Sequence, residues 1–208
     1  YGKNVNGVAF GTSLTYRAET ASQGYLDYLQ LASGIRFDNQ GIGSSTILEY
    51  DDGQTELPNI LEKIKEYDGY PDKKICILEG FVNDWWYNAD KLGTYLDKEE
   101  TTVCGCVRSA IEYIKGQNEN IRIFVILDHY GKGMNSIESV NSEGNTQYEF
   151  YEELAKLCEF VGIQVMKGYS ISGISELTPD WVADNIHLAP EGCRQFAMKV
   201  YGQIKNEW

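Results

Sequence analysis

The chain has 208 residues, 42% hydrophobic and 24% charged, a size and balance that fit one α/β domain over residues 1–208 and exclude a disordered polymer. Eighteen lysines and arginines against 31 acidic residues leave a net charge of −13, which repels a phosphate backbone and argues against a nucleic-acid partner. No apolar run approaches the ~20 residues that cross a bilayer, so membrane insertion is not expected.

Read from Tyr1, the sequence shows no signal- or transit-peptide pattern, which leaves localisation open, a secreted or cell-surface location included. Short apolar runs at residues 5–10, 34–37, 74–78, 121–127 and 163–166 read as five strands. Apolar residues spaced three and four apart predict helices between them. One carries Leu57, Ile60, Leu61, Ile64 and Tyr67, and the next Val103, Val107, Ala110, Ile111 and Ile114. A third carries Tyr151, Leu154, Ala155, Cys158 and Val161, and the last carries Phe196, Val200, Tyr201 and Ile204 after a helix-starting Pro190.

Strands alternating with helices call for parallel pairing through crossovers, hence a three-layer α/β/α sandwich around a five-stranded parallel sheet. Ligand crevices in such sheets lie beyond the carboxyl ends of the strands. The segments to search are therefore 11–16, 39–46, 80–87 and 128–145; the last is long, polar and Gly-rich and reads as a flexible rim.

Five cysteines are an odd number, and Cys76, Cys158 and Cys193 fall on apolar faces where a thiol behaves as a small hydrophobe. Cys104 and Cys106 form a CxC with no further Cys/His cluster beside it, so neither a metal nor a redox centre is expected.

Ser13 follows the first strand in AFGTSLTYR, where Gly11 permits a sharp turn. A serine hydroxyl there can cap a helix, or act as a nucleophile if a base reaches it. The candidate base is His187 in ADNIHLAPEG, with Asp184 three residues before it to hold the imidazole tautomer. By itself that pair also reads as a loop salt bridge. His129, the other histidine, ends the fourth strand, where it is either a structural group or a rival base. Acyl transfer also needs oxyanion donors, and Gly41 in NQGIGSST and Asn83 in EGFVNDWW follow the second and third strands. Trp85, Trp86 and Tyr87 follow Asn83 directly and offer an aromatic wall with at least one member packed inward; Trp181 is placed to flank the opposite side.

Together these blocks resemble the SGNH, or GDSL-type, hydrolase family across essentially the whole chain and in the family's order. Gly11-Thr12-Ser13-Leu14 resembles the GDSL signature, Asn39 to Gly43 the second block, EGFVND the GxND block and Asp184 to His187 the closing DxxH. Two positions depart from the pattern. Thr12 stands where the family has Asp, and Phe81 stands two residues before Asn83 where the family has Gly.

The resemblance implies a flavodoxin-like fold and a cofactor-free, metal-free Ser13–His187–Asp184 hydrolase. It also implies an oxyanion hole from the Ser13 N–H, the Gly41 N–H and the Asn83 side chain. A short-acyl ester, acetyl above all, of a carbohydrate or similar polar small molecule is the expected substrate. Alternatives are a lipase- or thioesterase-like preference for longer chains, acyl transfer to a sugar hydroxyl, and a carbohydrate-recognition module without turnover. Activity should rise with pH as His187 loses its proton. Oligomeric state and the natural ester are not readable from the sequence.

Overall fold

The computed structural model describes residues 5–17 and 22–206. Five strands, β1 (Asn6–Phe10), β2 (Arg36–Asn39), β3 (Ile75–Gly80), β4 (Arg122–Leu127) and β5 (Gln164–Lys167), form one parallel sheet in the order β2-β1-β3-β4-β5. The helices are α1 (Ser13–Tyr16), α2 (Tyr25–Ser33), α3 (Ile60–Glu66), α4 (Val82–Tyr87), α5 (Val103–Gln117), α6 (Gln147–Phe160), α7 (Gly168–Ile171) and α8 (Pro190–Asn206).

Alternation along the strands feeds two cores. Val8 and Phe10 of β1, Cys76 and Leu78 of β3, and Ile123, Val125 and Leu127 of β4 pack against α3, α5 and α6. Ala9, Ile75, Ile77, Phe124 and Ile126, one residue out of phase, pack against α2 and α8. A sheet covered on both faces has to be apolar on both, and every residue of β3 is buried. The three-layer expectation is met.

Two elements differ from it. Helix α2 does not appear in the sequence reading because Leu31, 74% exposed, puts an apolar side chain on the outer face and blurs the period made by Tyr25, Leu26 and Leu29. Gly34 closes α2 in the left-handed region at φ 73°, so β2 begins at Arg36 and not at residue 34.

All five cysteines are buried and unbonded to one another, as their apolar settings imply. No helix among the described residues is long and apolar enough to cross a membrane, and these residues hold no cluster of three metal-ligating side chains.

The chain leaves β1 for β2 on one side, while β3 pairs on the other side of β1. The sheet therefore reverses its winding between β1 and β3, and a crevice opens beyond their carboxyl ends. Ser13 follows β1 and Asn83 follows β3, so the topology brings both to this switch point.

Candidate active site

Ser13 is the first residue of α1, half-buried, with Thr12 extended before it. Residues 181–189 form a narrow loop whose stem is tied by the Val182–Leu188 bridge, by the Ala183 N–H on His187 O at 2.8 Å and by the Ala189 N–H on Trp181 O at 2.9 Å. Its tip carries Asp184 and His187 to Ser13.

His187 Nε2 lies 2.9 Å from Ser13 Oγ, and His187 Nδ1 lies 2.8 Å from Asp184 Oδ2. Asp184 accepts two backbone bonds on its other oxygen, from Ile186 N–H at 2.8 Å and His187 N–H at 2.7 Å. Partial burial works to raise its pKa, but the Ile186 N–H, the His187 ring and the His187 N–H outweigh that and hold the carboxyl below its ordinary value. An ionised Asp184 fixes the proton on Nδ1 and leaves Nε2 free to accept the serine proton.

Asn83 lies on the first turn of α4, and its side-chain amide donates to Ser45 O at 2.8 Å. That bond anchors the amide and leaves its second N–H available. The β2–α3 loop that carries Ser45 is tied to α4 again through Asp84, whose carboxylate accepts the N–H groups of Ile47 at 2.9 Å and Leu48 at 3.1 Å. Burial pushes the Asp84 carboxyl up to about 7, against the pull of these donors.

Gly41 lies beside the turn that carries Ser13: a Cβ there would sit 2.4 Å from Tyr16 N. Its N–H, however, donates to Asn39 Oδ1 at 2.9 Å, and the Asn39 amide donates to Thr15 O at 2.8 Å. In this arrangement Gly41 serves close packing of the loop on α1 and offers no free donor. The following N–H groups of the same loop, on Gly43 and on Ser44 at φ 58°, donate to no described residue.

The aromatic wall is smaller than the sequence suggests. Trp85 is fully buried, its indole donating to Asn145 O at 3.2 Å, because it shares the inward face of α4 with Val82. Trp85 is thus a core residue and not a pocket residue. Trp86 sits three residues after Asn83 on the outward face, and lines an open cleft of about 470 Å³ with Asn83, Tyr87, Met134, Asn135, Asn185 and Ile186. Trp181 does not reach this cleft. It sits at the stem of the 181–189 loop, half-buried against the core formed with α2 and α8.

His129 is buried, with Nε2 at 2.7 Å from Ile186 O. Desolvation lowers its pKa to about 4, so the ring is neutral and donates that bond. Lys132 joins the same contact surface, its N–H on Asn185 O at 2.7 Å and its ammonium on Val182 O at 2.6 Å. The segment read as a flexible rim thus clamps the histidine-bearing loop, a role without a sequence signal because every acceptor is a backbone carbonyl. His129→Leu should lower kcat ~10–100-fold by loosening that loop, with the acid limb of the pH–rate profile unmoved. A shifted limb would make His129 the base.

No protein-family model matches the chain, and no curated protein matches it. Among crystal structures, a protein from Lactobacillus plantarum superposes with TM-score 0.83 and 20% identity over 100% of both chains. A possible lipase from Chitinophaga pinensis does so at 0.74 and 17% over 98% of each chain. A carbohydrate acetylesterase family member from Sinorhizobium meliloti matches at 0.67 and 15%, covering 97% of this chain and 98% of its own. The chain shares its α/β fold with these structures over nearly the whole length of each.

The two departures from the motifs that the sequence resembles have physical readings. Phe81 adopts the left-handed conformation itself, at φ 91°, directly after Gly80 at φ 126°. A non-glycine residue held there costs ~1–3 kcal/mol, offset by a ring that is wholly buried in the core. Asn83 follows two residues later, in the first turn of α4. Thr12, in the Asp position of the signature, hydrogen-bonds to Glu79 of β3.

Proposed function

We propose that the protein is a serine esterase that removes a short acyl group, acetyl above all, from a carbohydrate or similar polar ester through an acyl-enzyme on Ser13. The observation that carries this reading is the unbroken chain from Ser13 Oγ through the His187 ring to Asp184, at 2.9 and 2.8 Å.

In the first half-reaction Ser13 Oγ attacks the ester carbonyl while His187 Nε2 takes its proton. The tetrahedral oxyanion is stabilised by the Ser13 N–H and the free Asn83 amide N–H. Gly41 joins them only by releasing Asn39. Collapse expels the alcohol, which takes the proton from His187. Water then repeats the sequence on the acyl-enzyme, His187 again acting as base, and the acid leaves with Ser13 restored.

The ionised Asp184 stabilises the imidazolium that forms in each step and keeps it from swinging away. Asp184 is held ionised and His129 neutral, so neither group changes charge near neutral pH.

The short-acyl reading is supported by the cleft, which is open, and by its lining. Trp86 and Tyr87 supply ring faces and Asn135 and Asn185 supply amides, a mixture that suits a sugar face better than an acyl chain. With p-nitrophenyl esters, kcat/KM should be greatest for acetyl and fall as the chain lengthens to octanoyl. A maximum at the long chains would replace the acetylesterase reading by a lipase-like one.

A further inference from the structure

Beneath Ser13 lies a pair of buried carboxyl groups that the acyl chemistry does not touch. Glu79, in β3, is 0% exposed and accepts from Thr12, just before Ser13, and from Thr15, two residues after it. Thr12 donates its N–H at 3.2 Å and its hydroxyl at 3.1 Å; Thr15 donates its N–H at 3.2 Å and its hydroxyl at 2.6 Å. With the Thr15 proton so committed, the Tyr25 hydroxyl donates to Thr15 Oγ1 at 3.0 Å. Gly11 makes room for this arrangement, since a Cβ there would lie 2.4 Å from Glu79 Oε2.

Asp128, just past β4 and 2% exposed, accepts on Oδ2 from the Val82 N–H at 3.2 Å and the Tyr151 hydroxyl at 2.9 Å. Its Oδ1 meets no donor among the described residues, and the β3–β4 register, with Glu79 opposite Ile126 and Gly80 opposite Leu127, sets the Asp128 carboxyl within hydrogen-bonding reach of Glu79. Two ionised carboxylates so placed, out of water, would repel strongly, and a proton on Oδ1 donated to Glu79 removes both the repulsion and the unpaired atom. Burial, reinforced by the Glu79 charge, pushes the Asp128 carboxyl far above the usual carboxylate range.

We propose that Glu79 and Asp128 share one proton and act as a positioning pair that sets the Ser13 turn against the Asn83 turn. Glu79 grips the residues on either side of Ser13, and Asp128 grips Val82, the neighbour of Asn83. Nucleophile and oxyanion donor cannot drift apart without breaking the bond between the two carboxyls. Glu79 also returns a carboxylate to the turn from the adjacent strand, where Thr12 has replaced the signature Asp.

The proton itself is testable without any assay, and the kinetic half rests on Ser13 being the nucleophile. Wild-type protein at neutral pH should show the infrared carbonyl band of a protonated carboxylic acid that is lost in Asp128→Asn. Asp84 is a further buried carboxyl, so assignment comes from the difference between the two spectra. Absence of a band dependent on Asp128 would overturn the shared proton whatever the activity.

In Asp128→Asn the new amide donates as the protonated acid does, so kcat should stay within ~3-fold of wild type. Glu79→Gln turns an amide toward the Thr12 and Thr15 donors, and kcat should fall ~100-fold with KM within ~2-fold. Equal losses in the two variants, or an unchanged kcat in Glu79→Gln, would overturn the positioning role. Should Glu79→Gln fail to fold, Thr15→Val removes the 2.6 Å bond at similar volume, and the same fall in kcat is expected; none would count against the proposal. If Ser13→Ala hydrolyses esters normally while the band persists, the shared proton stands and its kinetic consequence falls.

Discussion

Ser13→Ala is expected to abolish ester hydrolysis, with kcat falling by up to ~10⁶-fold toward the level supported by binding and oxyanion donors alone. The hydroxyl is the only atom the substitution removes, and its hydrogen bond to His187 lies in a part-buried site, so the folded protein should persist with little change in Tm. His187→Ala should cost about as much, because a serine without its base is nearly as inert as no serine. The double variant should be no worse than either single one. Steady-state hydrolysis of p-nitrophenyl acetate by the three variants, after rigorous purification, checks this. Additive losses would mean that the two residues act in different steps.

The second large effect is expected at Asn83. Asn83→Ala removes the amide that, in the proposed mechanism, meets the oxyanion, and loss of one such donor costs ~10²–10³-fold in kcat. Because the interaction strengthens in the transition state, KM should change little. The variant also loses the bond to the carbonyl of the buried Ser45, so a fall in Tm should accompany the loss of kcat. A kcat close to wild type would remove Asn83 from the mechanism and leave the hole to backbone donors.

The sequence carried most of the sheet because its strands are apolar runs bounded by glycines and polar turns, and such runs survive any later packing detail. Helix α2 was hidden by Leu31, an exposed apolar residue that breaks the amphipathic count. At the candidate site, the meeting of Ser13, Asp184 and His187 was legible because the proposed chemistry needs a hydroxyl, a base and a carboxylate, and the topology that joins them is the alternation of strands and helices itself. Trp85 was misread for a reason that sequence alone can repair. On a helix beginning at Val82, Trp85 shares a face with Val82, whereas Asn83 shares one with Trp86.

Gly41 illustrates a harder limit. A glycine beside a nucleophile turn is needed either to donate or to let another chain pass close, and only the side chain of Asn39, which takes its N–H, separates the two. Glu79 and Asp128 were invisible for a related reason. Each ends or follows a strand as an isolated acid, and only the β3–β4 pairing, with Gly80 opposite Leu127, brings them together. The same holds for the clamp of His129 and Lys132 on the carbonyls of Val182, Asn185 and Ile186, since backbone acceptors leave no mark in a sequence.

Activation of Ser13 by His187 is tested most directly by covalent labelling. Incubation with a fluorophosphonate ester should add one adduct to the intact mass, mapped by tandem mass spectrometry to the peptide bearing Ser13, and His187→Ala should slow the labelling ~10³-fold or more. Labelling on another residue, or labelling of Ser13 at an undiminished rate in His187→Ala, would contradict it.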